Sequence, residues 1–464
     1  MELISGRTPT FNQLLTTMRR SVEGHDINLL WKDVYLWYAT RKEWQDKCIA
    51  AQSAVNYSNL VLPLGKDRAL KLYGNPVYSS VSRFEQYASC PFAYYIQYGL
   101  RAKERKIFNL TLPDIGTFLH AVMEEFSRYV SENNISWRTI ERNWCREKVS
   151  EISDKLLENM QGGPIKNGTK RYKTLVKRLD RVLFRAVWMI VEHIKRSSFE
   201  PIGYEISFGN KGGLPPINIE LPTGEVIKLT GRIDRVDAFK TGDETYIRII
   251  DYKSGSKDFS LSNVYYGMQI QLIAYLGALW KESDTTEDTK TAIIPGGILY
   301  FKIDDPIIKG NRELTEEEIE KAVMKELKMN GLLLADVKIL KEMDKTIDGN
   351  SLIIPARINK GDVLGKNSSV ATIEQFNILR EYIKKLLENL GEEMLKGDIS
   401  ITPYKNKKLT SCQYCSYTSI CQFDPVLRDN KYRVIMDKSD DEVWELMNFY
   451  CSEENCMDEH VKRR

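Results

Sequence analysis

Two short stretches constrain this chain most: Gly231-Arg232-Ile233-Asp234-Arg235-Val236-Asp237 and Ile249-Ile250-Asp251-Tyr252-Lys253-Ser254-Gly255. Both read as strands, joined around Thr241-Gly242-Asp243. Side chains two apart on a strand share a face, so Asp251 and Lys253 point the same way. Ile250 and Tyr252 point the other way, and Ile250 suits a core. A hairpin pairing of the two strands sets Asp234 beside Asp251. Two carboxylates and an ammonium in one small volume are costly unless something compensates. Hard divalent cations take carboxylate oxygens and waters, which suits Mg²⁺, with Mn²⁺ as a substitute. Such a cation, held by Asp234, Asp251 and the backbone carbonyl of Tyr252, would polarise a phosphate oxygen and acidify a water. Lys253 would orient or deprotonate that water, or stabilise charge building on phosphorus. The competing reading is a hairpin of solvated charges.

The strands sit late in a long helical context. Residues 1–78 read as helical, with Trp31, Val34, Tyr35 and Tyr38 at i, i+3, i+4 and i+7. That stripe is either a small core or a partner-docking face. Gly74-Asn75-Pro76 marks a boundary. Ser82 and Glu85 form a capping-box pattern for a helix beginning there. A further helix runs from Asp114 to about Glu132, and residues 135–200 are helical. Strands follow from Tyr204, with a hairpin turn at Pro222-Thr223-Gly224-Glu225 between Ile217–Leu221 and Val226–Thr230. Val264–Leu279 reads as a helix, and Ile298–Ile303 as a strand. Residues 304–368 look like an insertion with one helix capped by Thr315 and Glu318. Val370–Leu395 is a long amphipathic helix ending near Gly397. The expected fold class is mixed α/β.

The overall charge decides little. Sixty-seven basic against 64 acidic residues leave +3, so clustering matters more than the sum. Arg101, Lys103, Arg105 and Lys106 cluster, as do Lys166, Lys170, Arg171, Lys173, Lys177 and Arg178. Such runs either neutralise phosphates or form solvated faces. No apolar run is long enough to span a membrane, and the start lacks a basic segment followed by an apolar one. A cytoplasmic location without membrane association is expected. No G-x-x-x-x-G-K-[S/T] phosphate loop occurs, so ATP binding is not expected of this chain.

Three other positions complete a pattern. His120 lies one helical turn after Gly116, and Gln271 and Tyr275 are spaced i, i+4 on the helix after Lys253. The set G-x-x-x-H, G-R-x-D-R-x-D, D-Y-K and Q-x-x-x-Y, in this order, resembles the RecB-type branch of the PD-(D/E)xK nucleases. The resemblance implies a restriction-endonuclease-like core with helical elaborations. It implies that His120, Asp234 and Asp251 ligate the metal, that Lys253 is catalytic and that Gln271 and Tyr275 contact DNA. Glu205 sits where the family often has an acidic residue before the core strands.

The cysteines add a second constellation. Cys412, Cys415 and Cys421 are closely spaced soft ligands, with Cys90 in Ser89-Cys90-Pro91-Phe92 the best candidate for a fourth. Cys48, Cys145, Cys451 and Cys456 lack such context and read as unligated thiols. Four thiolates hold either Zn²⁺ or an iron–sulfur cluster. The one-plus-three arrangement resembles the iron–sulfur nucleases related to RecB, which implies a 4Fe-4S cluster at Cys90, Cys412, Cys415 and Cys421. Its role would be a structural staple, closing a very long loop.

Tyr78 to Arg105, the segment Asp114-Ile115-Gly116-Thr117-Phe118-Leu119-His120 and the cysteine cluster resemble the B subunits of AddAB-type helicase–nucleases. That implies an exonuclease that processes double-strand-break ends and cuts the 5′-ended strand, in a heterodimer with an A subunit. Residues 1–78 would then be the tail of a helicase-like module, 79–424 the nuclease domain and 425–464 a C-terminal tail. Because B subunits are longer, the chain would be a fragment, a split product or a stand-alone relative. The alternative is a non-catalytic DNA-binding or scaffold subunit.

Overall fold

The computed structural model describes residues 4–103, 112–159, 170–209, 213–255, 258–280, 292–309, 313–427 and 429–452. Arg105, Lys106, Lys166 and Cys456 lie outside these residues, as does the side chain of Arg171.

In chain order the elements that matter here are α1 (Arg7–Val22), α2 (Leu30–Ala39), α3 (Gln45–Val55), β1 (Val77–Ser80), α4 (Val81–Ser89), α5 (Leu112–Glu132), α6 (Lys170–Lys195), β2 (Glu200–Phe208), β3 (Ile217–Glu220), β4 (Val226–Thr241), β5 (Glu244–Lys253), α7 (Gln271–Leu279), β6 (Ala292–Lys302), β7 (Asn330–Leu334), β8 (Val370–Ala371) and α8 (Ile373–Lys396). The sheet runs β1-β4-β5-β6-β7-β8, with β2 and β3 also pairing β4. β4 is its spine. The first half of β4 pairs β1 and β3, and its second half pairs β2 and β5. The β3–β4 and β4–β5 hairpins form where alternation and turn chemistry put them, with Arg235 opposite Ile250 and Asp237 opposite Arg248. β5 and β6 pair in parallel, which places Tyr300 beside Asp251 and Lys302 beside Lys253.

One sheet face carries a buried ionic network. The Arg235 guanidinium donates to both Asp237 carboxylate oxygens at 2.5 and 2.7 Å, and Arg248 Nε donates to Asp237 at 2.9 Å. All three side chains are at most 2% exposed. Buried His193 of α6 lies against the network, its ring edge-on to Phe301. α6 presents Leu179, Leu183, Ala186, Val187, Ile190 and Ile194 to the core, the stripe expected of an amphipathic helix.

Helix ends follow local chemistry. Thr372 and Gln375 form a capping box at the start of α8, and Gly397 at φ 88° closes its end. Thr315 and Glu318 do the same for the helix Glu316–Glu326. At α4 the structure corrects the sequence: Ser80, not Ser82, is the N-cap, accepting from Arg83 N. Glu85 is thereby released to another task. Its Oε1 accepts from the backbone N–H groups of Ile270 and Gln271 at 2.8 and 3.1 Å, capping α7 across space.

Other boundaries also move. The helix expected over Val264–Leu279 is two pieces, Leu261–Tyr265 and α7, because Gly267 takes φ 79° between them. Residues 304–368 are not wholly an insertion, since β7 within them pairs antiparallel with β6. Trp31 and Tyr38 are buried with Phe11, Leu14, Trp44, Cys48 and Ala51 in a small core formed by α1–α3. Of the two readings of that stripe, the packing is that of a core. Leu70 and Tyr73, N-terminal to the expected boundary, already pack on the main core.

Removing Asp237 leaves two buried guanidinium groups uncompensated, which costs about 3–5 kcal/mol. Breaking the exposed Arg7–Glu43 pair costs at most about 1 kcal/mol. Urea denaturation should therefore show a much lower midpoint for Asp237→Ala and a nearly unchanged one for Glu43→Ala.

Candidate active site

The register of three strands builds the site. Tyr204 pairs with Arg235 and Ile206 with Ile233, so Glu205 lies opposite Asp234. The β4–β5 ladder ends at Arg235 opposite Ile250; Asp234 and Asp251 are the next residue on each strand, and the Tyr252 N–H bonds the Asp234 carboxylate there. Residues directly opposite in an antiparallel pair project to the same face. Glu205, Asp234 and Asp251 thus form a row across β2, β4 and β5, with Tyr300 next in line on β6. Glu205 holds φ 48°, a conformation uncommon for a residue with a side chain. Such strain persists where the surroundings enforce it, and it is concentrated at functional sites.

α5 brings His120 over the row, with Nδ1 3.6 Å from Asp234 Oδ2. Among the described residues, His120, Glu205 and Asp234 each offer a ligand atom, all within 4.8 Å of one another. Asp251 stands beside this trio with Oδ2 turned to Lys253 Nζ at 2.5 Å. The Tyr252 backbone N–H donates to Asp234 Oδ2 at 2.7 Å and fixes that carboxylate. Arg232, on the exposed side, pairs with Glu205 at 2.8 Å.

The electrostatics are those of an acidic cluster that Arg232 and Lys253 compensate only in part. Burial, then repulsion from Asp251, pushes the Asp234 carboxyl well above the usual carboxylate range. Glu205 is pushed up to about 7, chiefly by burial; Arg232 opposes this, and Glu124 and Asp251 reinforce it. Burial pushes His120 down despite the pull of Asp251, which leaves a neutral imidazole suited to a metal. Three carboxylate side chains and a neutral imidazole form a donor set that fits a hard divalent cation.

Gln271 is half-buried and Tyr275 buried, and the structure shows what they hold within the protein. Tyr275 is 4% exposed, its ring edge-on to Phe208 at 5.0 Å. Gln271 Nε2 donates to its hydroxyl at 3.1 Å, and the backbone N–H of Arg232 donates to it as well. A Cβ on Gly231 would come within 2.8 Å of that hydroxyl and 2.6 Å of the Phe208 ring. Gly231 is therefore required by close approach, and Tyr275 braces β4 two residues before Asp234. Glu85, capping α7, belongs to the same support. The spacing of Ser82 and Glu85 hid this role, because a capping box is a local pattern and this cap is not.

A second constellation lies at the far end of the nuclease region. Cys90, Cys412, Cys415 and Cys421 line one cavity with Phe92, Ile401, Pro403, Tyr417 and Phe423. Cys90 and Cys421 are buried, and Phe92 N donates to Ser400 O, joining the Cys90 segment to the C-terminal one. Burial pushes the Cys90 thiol up to about 11, and nearby Cys412 and Cys415 add to it. Cys412 and Cys421 are pushed up too, again chiefly by burial. Cys48, Cys145 and Cys451 are free thiols outside this cavity.

A sheet of this register, with acidic groups on three neighbouring strands and a lysine one step beyond, defines a nuclease fold. The chain belongs to the PD-(D/E)XK nuclease superfamily, whose profile matches residues 78–422. Residues 1–53 match the fifth domain of the ATP-dependent helicase/deoxyribonuclease AddB. The chain is 57% identical to the B subunit of the ATP-dependent helicase/deoxyribonuclease of Acetivibrio thermocellus, over 96% of this chain and 39% of that protein. The corresponding proteins of Ruminiclostridium cellulolyticum and Clostridium novyi, which carry the same name, are 55% and 52% identical, over 97% and 96% of this chain. The chain spans about two fifths of the length of these relatives, 39% in each. No helix among the described residues is long and apolar enough to cross a membrane.

The raised carboxyls give a signed prediction. Glu205 and Asp234 bind protons more tightly folded than unfolded, so their contribution to metal-free stability is complete below the ordinary carboxylate range. It is lost as the pH rises through about 7 for Glu205 and about 8 for Asp234. Differential scanning fluorimetry should show this fall, and Mg²⁺ or Mn²⁺ should reverse it. Glu205→Gln should flatten the fall and lose the response to metal.

Proposed function

We propose that this chain is a divalent-metal-dependent deoxyribonuclease, part of a helicase–nuclease B subunit that processes broken DNA ends with an A subunit. The observation that carries the proposal is the cluster of Glu205, Asp234 and Asp251 on neighbouring strands, with His120 over it and Lys253 beside it. His120, Glu205, Asp234 and Asp251 would hold Mg²⁺, with the Tyr252 carbonyl as a further oxygen ligand. When bound, the cation supplies Lewis-acid polarisation of the scissile phosphate and a water acidified for attack.

The protein's own groups do the rest. The Tyr252 N–H holds Asp234 in one orientation. Lys253, released from Asp251, sets its ammonium against the charge that grows on the phosphate oxygens or orients the attacking water. Arg232, exposed beside Glu205, offers a planar fork to the same phosphate. Tyr275, with Gln271 on its hydroxyl, holds β4 in place, and half-buried Gln271 stands where it can also meet the DNA strand.

Cys90, Cys412, Cys415 and Cys421 would carry a 4Fe-4S cluster that pins the start of the nuclease domain to its end. The lone Cys90, far in sequence from the other three, favours the cluster over a zinc ribbon of two C-x-x-C knuckles. Cutting of the 5′-ended strand and a cytoplasmic location belong to the same proposal.

The test is digestion of end-labelled linear DNA by anaerobically purified protein, with and without Mg²⁺. Cleavage should require Mg²⁺ and vanish in Asp251→Ala, and the label should give the polarity. Tyr275→Phe should lower the rate at saturation and leave metal-free DNA affinity unchanged. Cys412→Ser should lose iron, sulfide and visible absorbance. No cleavage by folded, cluster-loaded protein would remove the autonomous-nuclease proposal.

A further inference from the structure

α6 carries a basic face that the proposed catalytic chemistry does not use. Lys173, Lys177, Arg178, Arg181 and Arg185 fall within one arc of the helix, opposite the apolar stripe of Leu179, Leu183, Ala186 and Ile190. Lys173, Lys177, Arg178 and Arg181 are exposed. Asp180, the acidic residue within this stretch, turns aside to Ser150 and Arg146 on the neighbouring helix. From Lys173 to Arg185 the face is about 18 Å long, the span of on the order of three to five phosphates along a strand.

The C-terminal end of this face reaches the active site through a short chain of neighbours. Arg181 Nε meets Asp305 Oδ2 at 2.5 Å, and Arg185 lies 3.6 Å from the same carboxylate. Arg178 acts on Asp304, which also pairs with Lys302 Nζ at 2.8 Å. Lys302 is the register partner of Lys253 on the adjacent parallel strand, and so projects to the same face. Asp305 is 14% exposed against 63% for Arg181, so the acid is the fixed anchor and the guanidinium remains open to solvent. α6 covers the other sheet face, so this chain of contacts, basic groups tied through Asp304 and Asp305, rounds the end of β6 from the catalytic lysine past Lys302 to the outer face of α6.

We propose that this path carries the DNA strand beyond the scissile phosphate, with Lys302, Arg181, Arg178, Lys177 and Lys173 meeting successive backbone phosphates. The inference rests on the nuclease reading of the site and adds the direction in which the substrate strand runs. Positive groups spaced along a helix match the phosphodiester backbone by charge and repeat, and carry no base information. A one-residue-wide row of cations along a helix meets one phosphodiester backbone at a time, so single-stranded DNA is the substrate used to test it.

The test is fluorescence anisotropy of single-stranded DNA with the whole chain, in the absence of Mg²⁺ and across salt concentrations. The variant is Lys173→Gln with Lys177→Gln and Arg178→Gln; the control is Lys321→Gln with Lys325→Gln and Lys360→Gln. The slope of log affinity against log salt should fall in magnitude by about 2 in the variant, three charges at about 0.7 each. It should be unchanged in the control. Lys173→Arg with Lys177→Arg should keep the wild-type slope, which separates charge from damage to the helix. With Mg²⁺, the variant should show a several-fold higher KM on long strands and an ordinary rate on oligonucleotides too short to reach α6. An unchanged slope, an equal effect in the control, or wild-type binding that does not depend on salt would overturn the path. Wild type that binds with the expected slope but does not cleave would sink the nuclease reading and leave the path standing.

Discussion

The antiparallel pairing of β4 with β2 on one side and β5 on the other is the constraint on which the rest depends. It sets Glu205, Asp234 and Asp251 in a row, and a shift of one residue would send the whole set to the opposite face. That register is held from behind. Arg235, Asp237 and Arg248 lock β4 to β5 on the other face, under α6, where no water compensates a slip. The two faces therefore differ in kind: a buried network of two guanidinium groups sharing one carboxylate on one face, an acidic cluster only partly paired on the other. The cluster costs stability that a bound cation would return, the ordinary relation between a strained site and its function.

Support also comes from the helix after the D-Y-K strand. Glu85 caps α7, α7 carries Tyr275, and Tyr275 meets the backbone of β4 at the glycine that admits it. This chain of contacts connects the segment before Cys90 to the position of Asp234. The cysteine cavity lies at the other end of that segment, so a group bound there would steady the base on which Glu85 stands.

Much of this was legible because strand periodicity is rigid. Asp251 and Lys253 had to share a face, and the turn at Thr241-Gly242-Asp243 had to bring Asp234 alongside. The two hairpins on β4 followed from alternation and turn residues. Other features were hidden because they are not local. Glu205 enters the row by a left-handed residue inside a strand, which no propensity announces. Glu85 looked like a helix cap for its own chain neighbour and caps a helix about 185 residues away. Tyr275 looked available on a helix face and is buried against β4. β7 was lost inside a stretch of loose pattern because it is short and leans on β6 for its definition. Arg235 and Asp237 were part of a recognised pattern, but only the structure shows that they face away from the metal side and pair with Arg248.

The central claim is that one divalent cation binds where the three strands align their carboxylates. The most direct measurement is anomalous diffraction from crystals of the chain grown with Mn²⁺. The account predicts a single strong peak among His120, Glu205, Asp234 and Asp251, absent in Asp234→Asn. A peak elsewhere, or none beside a well-ordered Asp234, would contradict it.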